Sequence, residues 1–450
     1  MQYLVLNKNG FIRYSTLVIF GVLMSMSSIA FGESSEYDEE NAPKNAKYSP
    51  IVYSGAAITM GAHATVFGNT QSVAAVTLGQ AAALNGNLLA GAAVTLDKDG
   101  VVIGNITVGE DATFGATSLV IGDVTSGATV FVGAGSEISG DLQSRGGTTL
   151  GAAAKIGGNV TAGTFVTLGD SAQVGQDESA GNVRAFTDPV VLGANASVKG
   201  DASAGTYISL GVNAKVQGSE TQYADPDGFT NEAKAPVATK KDELTQKQKD
   251  FAETFVPTYN ELNMTIAENR EFYPGVYHAT ALSTAASTTL TFVGSGYGER
   301  DEWLINVDTY ISFGANVTIE LVDVAQGSTI IFNAGTYTTI GANSIFSGTI
   351  YAGTYITTGE NTTLMGVGSD CGGLFTTNGA ITLGAHSKFG ASGCRQAGQQ
   401  SEEDDEYYDD DHGYYDEYYD EYDDEYYDDD HGYYDDDDEY DDDMDEGNIT

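Results

Sequence analysis

A four-residue phrase, apolar-Thr-apolar-Gly, returns along this chain at a fixed interval, and few folds tolerate so strict a period. It reads Ile58-Thr59-Met60-Gly61, then Val76-Thr77-Leu78-Gly79. Looser copies are Thr148-Thr149-Leu150-Gly151, Val166-Thr167-Leu168-Gly169, Val190-Val191-Leu192-Gly193 and Ile208-Ser209-Leu210-Gly211. The marker positions 61, 79, 97, 115, 133, 151, 169, 193 and 211 step by 18 residues except for one step of 24. That long step holds a six-residue insertion between Gln176 and Pro189, and Asp97 once replaces the marker Gly. A period held over nine marks is the signature of a solenoid, in which each repeat buries its apolar face only by stacking on the next.

The rest of the coil follows from the same alignment. Seven residues after most markers stands a second Gly (Gly68, Gly86, Gly104, Gly122, Gly140, Gly158, Gly200 and Gly218), usually followed by Asn or Asp. Asn69, Asn87, Asn105, Asp123, Asp141, Asn159 and Asp201 fill that place, and the pair suits a corner because both residue types tolerate positive φ. A further Gly at Gly91, Gly109, Gly127, Gly163 and Gly205 marks another corner. Three short sides then close a triangular coil, with Val76 and Leu78 inward and Thr77 outward by strand alternation. The fold class is all-β: a triangular β-solenoid of 18-residue coils.

Composition bounds the partners. The chain of 450 residues carries 19 Lys+Arg against 64 Asp+Glu, a formal charge of -45, which repels nucleic acid and anionic lipid surfaces. Residues 1–32 read as a signal peptide: Lys8 and Arg13, an apolar stretch from Leu17 to Met26, and Ala30-Phe31-Gly32 as a cleavage signal. A polar segment, 33–50, precedes the regular array of 51–220, and no membrane span is expected after cleavage.

Beyond Gly218 the regular period stops. Residues 221–263 read as a linker and one α-helix within Lys240 to Leu262, with Leu244, Phe251, Phe255 and Tyr259 near helical spacing and Pro257 as a kink or early end. In 264–397 the phrase resumes with insertions, as Ile311-Ser312-Phe313-Gly314, Thr338-Thr339-Ile340-Gly341, Ile356-Thr357-Thr358-Gly359 and Ile381-Thr382-Leu383-Gly384. Cys371 and Cys394 follow the last two markers by 12 and 10 residues, similar places on successive coils, which suits a disulfide staple or a pair of buried thiols.

The order of helix, Tyr273-Pro274-Gly275-Val276-Tyr277, Trp303-Leu304-Ile305-Asn306-Val307, Ser328-Thr329-Ile330-Ile331-Phe332-Asn333 and Gly348-Thr349-Ile350-Tyr351-Ala352 resembles the ice-binding-protein-like (DUF3494-type) family of secreted microbial proteins, over roughly residues 240–390. That resemblance implies a right-handed, discontinuous β-solenoid with a flanking helix. The regular first array departs from the family, whose members begin with a shorter, less regular portion. That array is instead similar to bactofilins, polymer-forming β-helical scaffolds, and its hexads resemble those of acyltransferases that need a His base. The array holds a single His, His63, and no partnering motif.

Two surfaces are candidates for function. One is a ladder of outward hydroxyl residues, Thr59, Thr77, Thr95, Thr113, Thr149, Thr167 and Ser209, continued as Ser312, Thr339, Thr357 and Thr382 and interrupted by Phe131 and Val191. Thr is also simply a good outward strand residue. The other is the tail, 398–450, almost wholly Asp, Glu and Tyr and expected to be disordered. Its Asp409, Asp410, Asp411, Asp428, Asp429 and Asp430 suit weak binding of Ca²⁺ or other cations, without the spacing of an EF-hand. Asp97, Asp99, Glu110 and Asp111 are scattered on turns without a basic partner cluster, so no enzyme and no cofactor is expected. The expected function is ice binding or ice adhesion by a secreted protein through the Thr face, with ice or another extended surface as partner. The alternative is an extracellular matrix or envelope scaffold, bactofilin-like and able to self-associate.

Overall fold

The computed structural model describes residues 51–390 apart from 177–179, 225–238, 254–256, 261–264, 297, 299 and 368–371. The signal segment, the polar segment 33–50, the acidic tail with Asp409 to Asp430, and both cysteines lie outside the described residues. The expected pairing of Cys371 with Cys394 is therefore not supported.

The strands stack into three parallel sheets of 16, 15 and 15 strands. The stack is not in chain order. Val52–Ser54, the first strand, lies in the middle of its sheet, paired on one side with Thr70–Ser72 and on the other with Gly373–Thr376. The chain climbs from this midpoint to Glu220–Gln222 at one end. It restarts at the opposite end with Tyr259–Asn260 and climbs back until Val66 pairs with Phe389. The two halves thus meet at a seam made of sequence-distant strands on all three sides, with Val52 opposite Leu374, Ile58 opposite Ile381 and Thr65 opposite Lys388. The discontinuity implied by the family resemblance is present in the strand order.

Inward positions fill one continuous core. In the first half these are mainly Val, Leu, Ile and Ala, such as Val76, Leu78, Val166 and Leu168. In the second half they include Phe272, Phe292, Trp303, Phe313, Phe332 and Phe346. Coil perimeter explains the change. Most first-half strands have three residues, whereas Gly275–Ala279 has 5 and Glu302–Val307 and Thr329–Ala334 have 6. A wider coil encloses more volume, which must be filled to native packing density by larger side chains.

The helix, here α1 (Thr239–Glu253), stops short of Pro257. Leu244 and Phe251, two turns apart, pack with Tyr53, Leu304 and Tyr351 on the outside of the 16-stranded sheet. Two stacked asparagines tie the helix to the sheet: Asn306 Nδ2 donates at 2.5 Å to Phe251 O, one of the last-turn carbonyls without a partner in the helix, and Asn333 Nδ2 donates at 3.2 Å to Gln248 O one turn earlier. Burial beneath the helix pushes the Tyr351 hydroxyl pKa up, with Lys247 as a partial offset.

One corner is tied by side chains. Asn69 Oδ1 accepts from Asn87 N (2.9 Å), Asn87 from Asn105 N (2.8 Å), and Asn105 from Asp123 N (2.8 Å). The ladder continues through Asp141, Asn159, Asn182 and Asp201 to the amide of Ser219. Asn182 belongs to it although the insertion hides its spacing. Another corner falls two residues after each marker, where the chain turns through positive φ at non-glycine residues such as Ala81 (52°), Thr117 (57°), Ala153 (57°) and Ser171 (61°).

Candidate functional site

The outward hydroxyl positions come together on one 15-stranded sheet, as a single row through both halves. Register places Thr59 beside Thr77, Thr77 beside Thr95 and Thr95 beside Thr113. Across the seam Thr59 stands opposite Thr382, which leads to Thr357, Thr339 and Ser312. Two further members extend the row, Ser283 beside Ser312 and Thr265 beside Ser283. Sequence reading missed them because Ala285 stands where the marker Gly would be, although Thr265 and Ser283 are themselves 18 residues apart. In the other direction the row runs Phe131, Thr149, Thr167, Val191, Ser209.

Along most of the row the side chain projects between two inward neighbours, as in Val76-Thr77-Leu78 and Ile381-Thr382-Leu383, where the flanking residues are buried. Adjacent members are one strand spacing apart, about 4.8 Å, so the row of 15 strands extends for roughly 65–70 Å. Some hydroxyls bond along it: Thr339 Oγ1 to Ser312 Oγ at 3.0 Å, and Thr265 Oγ1 with Ser283 Oγ at 3.2 Å.

The strands of this side keep almost one length. Ile58–Met60, Val166–Leu168, Ile311–Phe313, Thr338–Ile340 and Ile381–Leu383 all have 3 residues, although the coils of the second half are longer. Extra residues enlarge the other two sides, as in Thr289–Val293 and Glu302–Val307. The face therefore stays uniform where the rest of the coil does not.

Its borders vary. Near the seam the row is flanked by small residues, Ala57, Ala75, Ala93 and Ala380. Further into the second half the border is a stack of tyrosines, Tyr310 on Tyr337 (centroids 5.2 Å) and Tyr337 on Tyr355 (4.8 Å), with near-parallel rings. At the seam corner His63 stacks on His386 at 4.8 Å. Among the described residues no cluster of three or more His, Cys, Asp or Glu has metal-site geometry. Asp111, a turn acid of the first half, accepts from both the amide and the hydroxyl of Thr129. These bonds hold its carboxyl below the usual carboxylate range. That is a structural use of an acid, on a turn.

Residues 197–387 match a protein-family model described as Ice-binding-like. No curated protein matches the chain. Among solved structures, the ice-binding protein from the Antarctic ascomycete Antarctomyces psychrotrophicus shares 18% identity over 51% of this chain and 94% of its own, with a TM-score of 0.30. The DUF3494 domain of Shewanella frigidimarina ice-binding protein_1 shares 17% over 50% and 93%, also with a TM-score of 0.30. A glycosylated ice-binding protein from an Arctic yeast shares 16% over 50% and 90%, again with a TM-score of 0.30. At these values the structural likenesses decide nothing about function. No helix among the described residues is long and apolar enough to cross a membrane.

Proposed function

We propose that this chain, whose residues 197–387 are ice-binding-like, is a secreted, non-catalytic protein that adsorbs to ice through the Thr row. The observation that carries this reading is the register of Thr59 with Thr382. It joins two ladders from distant parts of the sequence into one row on a side of constant width. Hydroxyls and methyls at a fixed strand spacing on a rigid sheet offer water an ordered template. Many weak contacts acting together then replace any single strong site. Desolvating methyl groups contributes to adsorption and hydroxyls fix the register, so neither cofactor nor turnover is involved.

The test is slow directional freezing of the mature protein, followed by comparison of protein in ice and in liquid. Enrichment in ice is expected, with and without residues 401–450. It is expected to be lost when Thr59→Tyr and Thr382→Tyr break the seam portion of the row. Exclusion of the unmodified protein from ice overturns the reading.

One observation favours the scaffold reading as a second proposal. In the last coil of the first half, Leu210 is 41% and Val212 75% exposed, whereas Leu192, one coil earlier and opposite Leu210, is buried. An uncovered coil end with unpaired strand edges is a surface for self-association. Sedimentation at increasing concentration separates the two: a scaffold assembles into long species, and an ice binder stays monomeric.

A further inference from the structure

The same sheet carries a second, chemically different strip at the far end of the first half. Three aromatic side chains are exposed there, Phe131 (47%), Phe165 (37%) and Tyr207 (51%). Phe131 occupies the Thr row itself, between Thr113 and Thr149. Phe165 and Tyr207 lie in the adjacent row, aligned by the ladder in which Val130 N donates to Gly147 O, Thr148 N to Phe165 O, Val166 N to Pro189 O and Val190 N to Tyr207 O. The aromatics therefore recur on every second coil, at steps of roughly 10 Å, twice the strand spacing.

The intervening positions make room for the rings. Gly147 stands in the coil between Phe131 and Phe165, and a Cβ built on it would lie 2.3 Å from Cε1 and 2.4 Å from Cζ of Phe165. The Phe165 ring is thus folded down over the Gly147 backbone and leaves its other face to solvent. Pro189 fills the next gap. The two rows from Thr129 to Ser209 read Thr129, Phe131, Gly147, Thr149, Phe165, Thr167, Pro189, Val191, Tyr207 and Ser209 without one charged residue, in a chain of charge -45.

We infer that this strip is a docking surface for an extended, neutral β-1,4-linked polysaccharide. In such a chain alternate sugars present the same face, so a given face returns once per disaccharide. That repeat is of the same order as the two-coil step of about 10 Å. The apolar face of a pyranose packs on an aromatic ring, and Thr149, Thr167 and Ser209 beside the rings offer hydroxyls to its equatorial oxygens. An uncharged polymer also escapes the repulsion that the acidic chain exerts on anionic ones. The surface shares Thr149, Thr167 and Ser209 with the Thr row, but its rings, Phe131, Phe165 and Tyr207, lie outside the hydroxyl positions of that row.

The test is co-sedimentation of the full chain with microcrystalline cellulose and with chitin powder, with starch granules as the α-linked control. Binding to at least one β-1,4 polymer and not to starch is expected. The double variant Phe165→Ala/Tyr207→Ala is expected to weaken it at least tenfold, and Phe165→Tyr/Tyr207→Phe to retain it. All these side chains are exposed, and an unchanged circular dichroism melt confirms that the variants fold. The double variant keeps its enrichment in ice, and Thr59→Tyr/Thr382→Tyr keeps its glycan binding, so failure of one reading is distinguishable from failure of the other. No co-sedimentation, equal binding to starch, or binding untouched by the double variant overturns the proposal. So does a dimer that the double variant abolishes without any glycan binding, which would make the strip a contact between copies.

Discussion

The two halves of the solenoid solve one packing problem by different means. The first repeats a short coil almost without variation, fills it with Val, Leu, Ile and Ala, and ties one corner with the Asn/Asp ladder. The second lets coil length vary, fills the wider interior with Phe and Trp, and leans on α1. Yet both hold the Thr side at strands of two or three residues and in register across the seam. Variation is confined to the two sides that do not carry the row. A parallel sheet fixes spacing along the stack whatever the coil perimeter, so a flat face survives insertions provided they fall elsewhere.

The largest effect should come from the aromatic core. Trp303 is the chain's single Trp, fully buried in the second half, with its indole N–H donating to Phe272 O at 3.2 Å. Trp303→Ala removes that volume from a wide coil and should cost about 3–5 kcal/mol. In the unmodified protein the same residue reports the second half alone. If the halves unfold as separate units, urea transitions followed by Trp fluorescence and by far-ultraviolet circular dichroism will differ. Coincident transitions would show that the seam couples them into one cooperative unit.

The seam is the next place to break the comparison. A Cβ on Gly55 would lie 2.0 Å from Thr377 O, a backbone atom of the other half. Gly55→Val should therefore force the halves apart locally and cost about 1–3 kcal/mol, as overpacking does. The expected signature is a separation of the two unfolding transitions, greater than that produced by any substitution within one half. A uniform shift of a single transition would mean that the seam is no weaker than an ordinary coil contact.

Much of the first half was legible in the sequence, because one coil repeats there: Gly61 to Gly211 fixed the period, and the alternation in Val76-Thr77-Leu78 assigned inside and outside. The seam was not, because Thr59 and Thr382 belong to different arrays and no periodic signal links them. The length of α1 was only partly readable, since Pro257 marks a stop beyond its described end at Glu253. The corner two residues after each marker was hidden for a local reason. Glycine and asparagine advertise positive φ, but Ala81, Ala153 and Ser171 adopt it under the pull of inter-coil bonds such as Ala81 N to Lys98 O at 3.0 Å. The aromatic strip could have been found by placing Phe165 and Tyr207 on the repeat, where each stands four residues before a marker.

That hidden corner gives a smaller and more discriminating prediction. Four coils of the first half turn there on Ala81, Thr117, Ala153 and Ser171, while others turn on residues such as Asn195 and Asn213; in the second half Asn316, Asn343 and Asn361 take the place, beside Ser287 and His386. A left-handed conformation costs an alanine about 1–2 kcal/mol, part of which glycine returns through its greater freedom in the unfolded chain. Ala81→Gly should stabilise by roughly 0.5–1 kcal/mol on balance. Asn343→Gly should give almost nothing, because asparagine already tolerates the conformation and Asn361 Nδ2 donates to Asn343 Oδ1 at 3.1 Å. Equal gains at both positions would mean that the corner of the first half is unstrained.

The smallest effect expected concerns pH, and it too separates the halves. Asp201 accepts from Ser219 N at 2.7 Å and from Ser219 Oγ at 2.8 Å, and these bonds hold its carboxyl below the ordinary value of 3.8. A carboxyl whose folded pKa is depressed contributes stability that is complete above its unfolded pKa and is lost as pH falls through the folded one. Acidification below about pH 4 should therefore release the last coil of the first half while the neutral Asn361–Asn343 contact of the second half is unaffected. Because Asp201 is solvent-exposed the effect is local fraying, read as faster exchange of the Ser219 amide after correction for the intrinsic rate. Asp201→Asn keeps an acceptor and removes the titration, so its Ser219 amide should exchange with no pH dependence beyond the intrinsic one. If the wild-type protein behaves in the same way, the ladder is held by coil stacking rather than by the charge at its end.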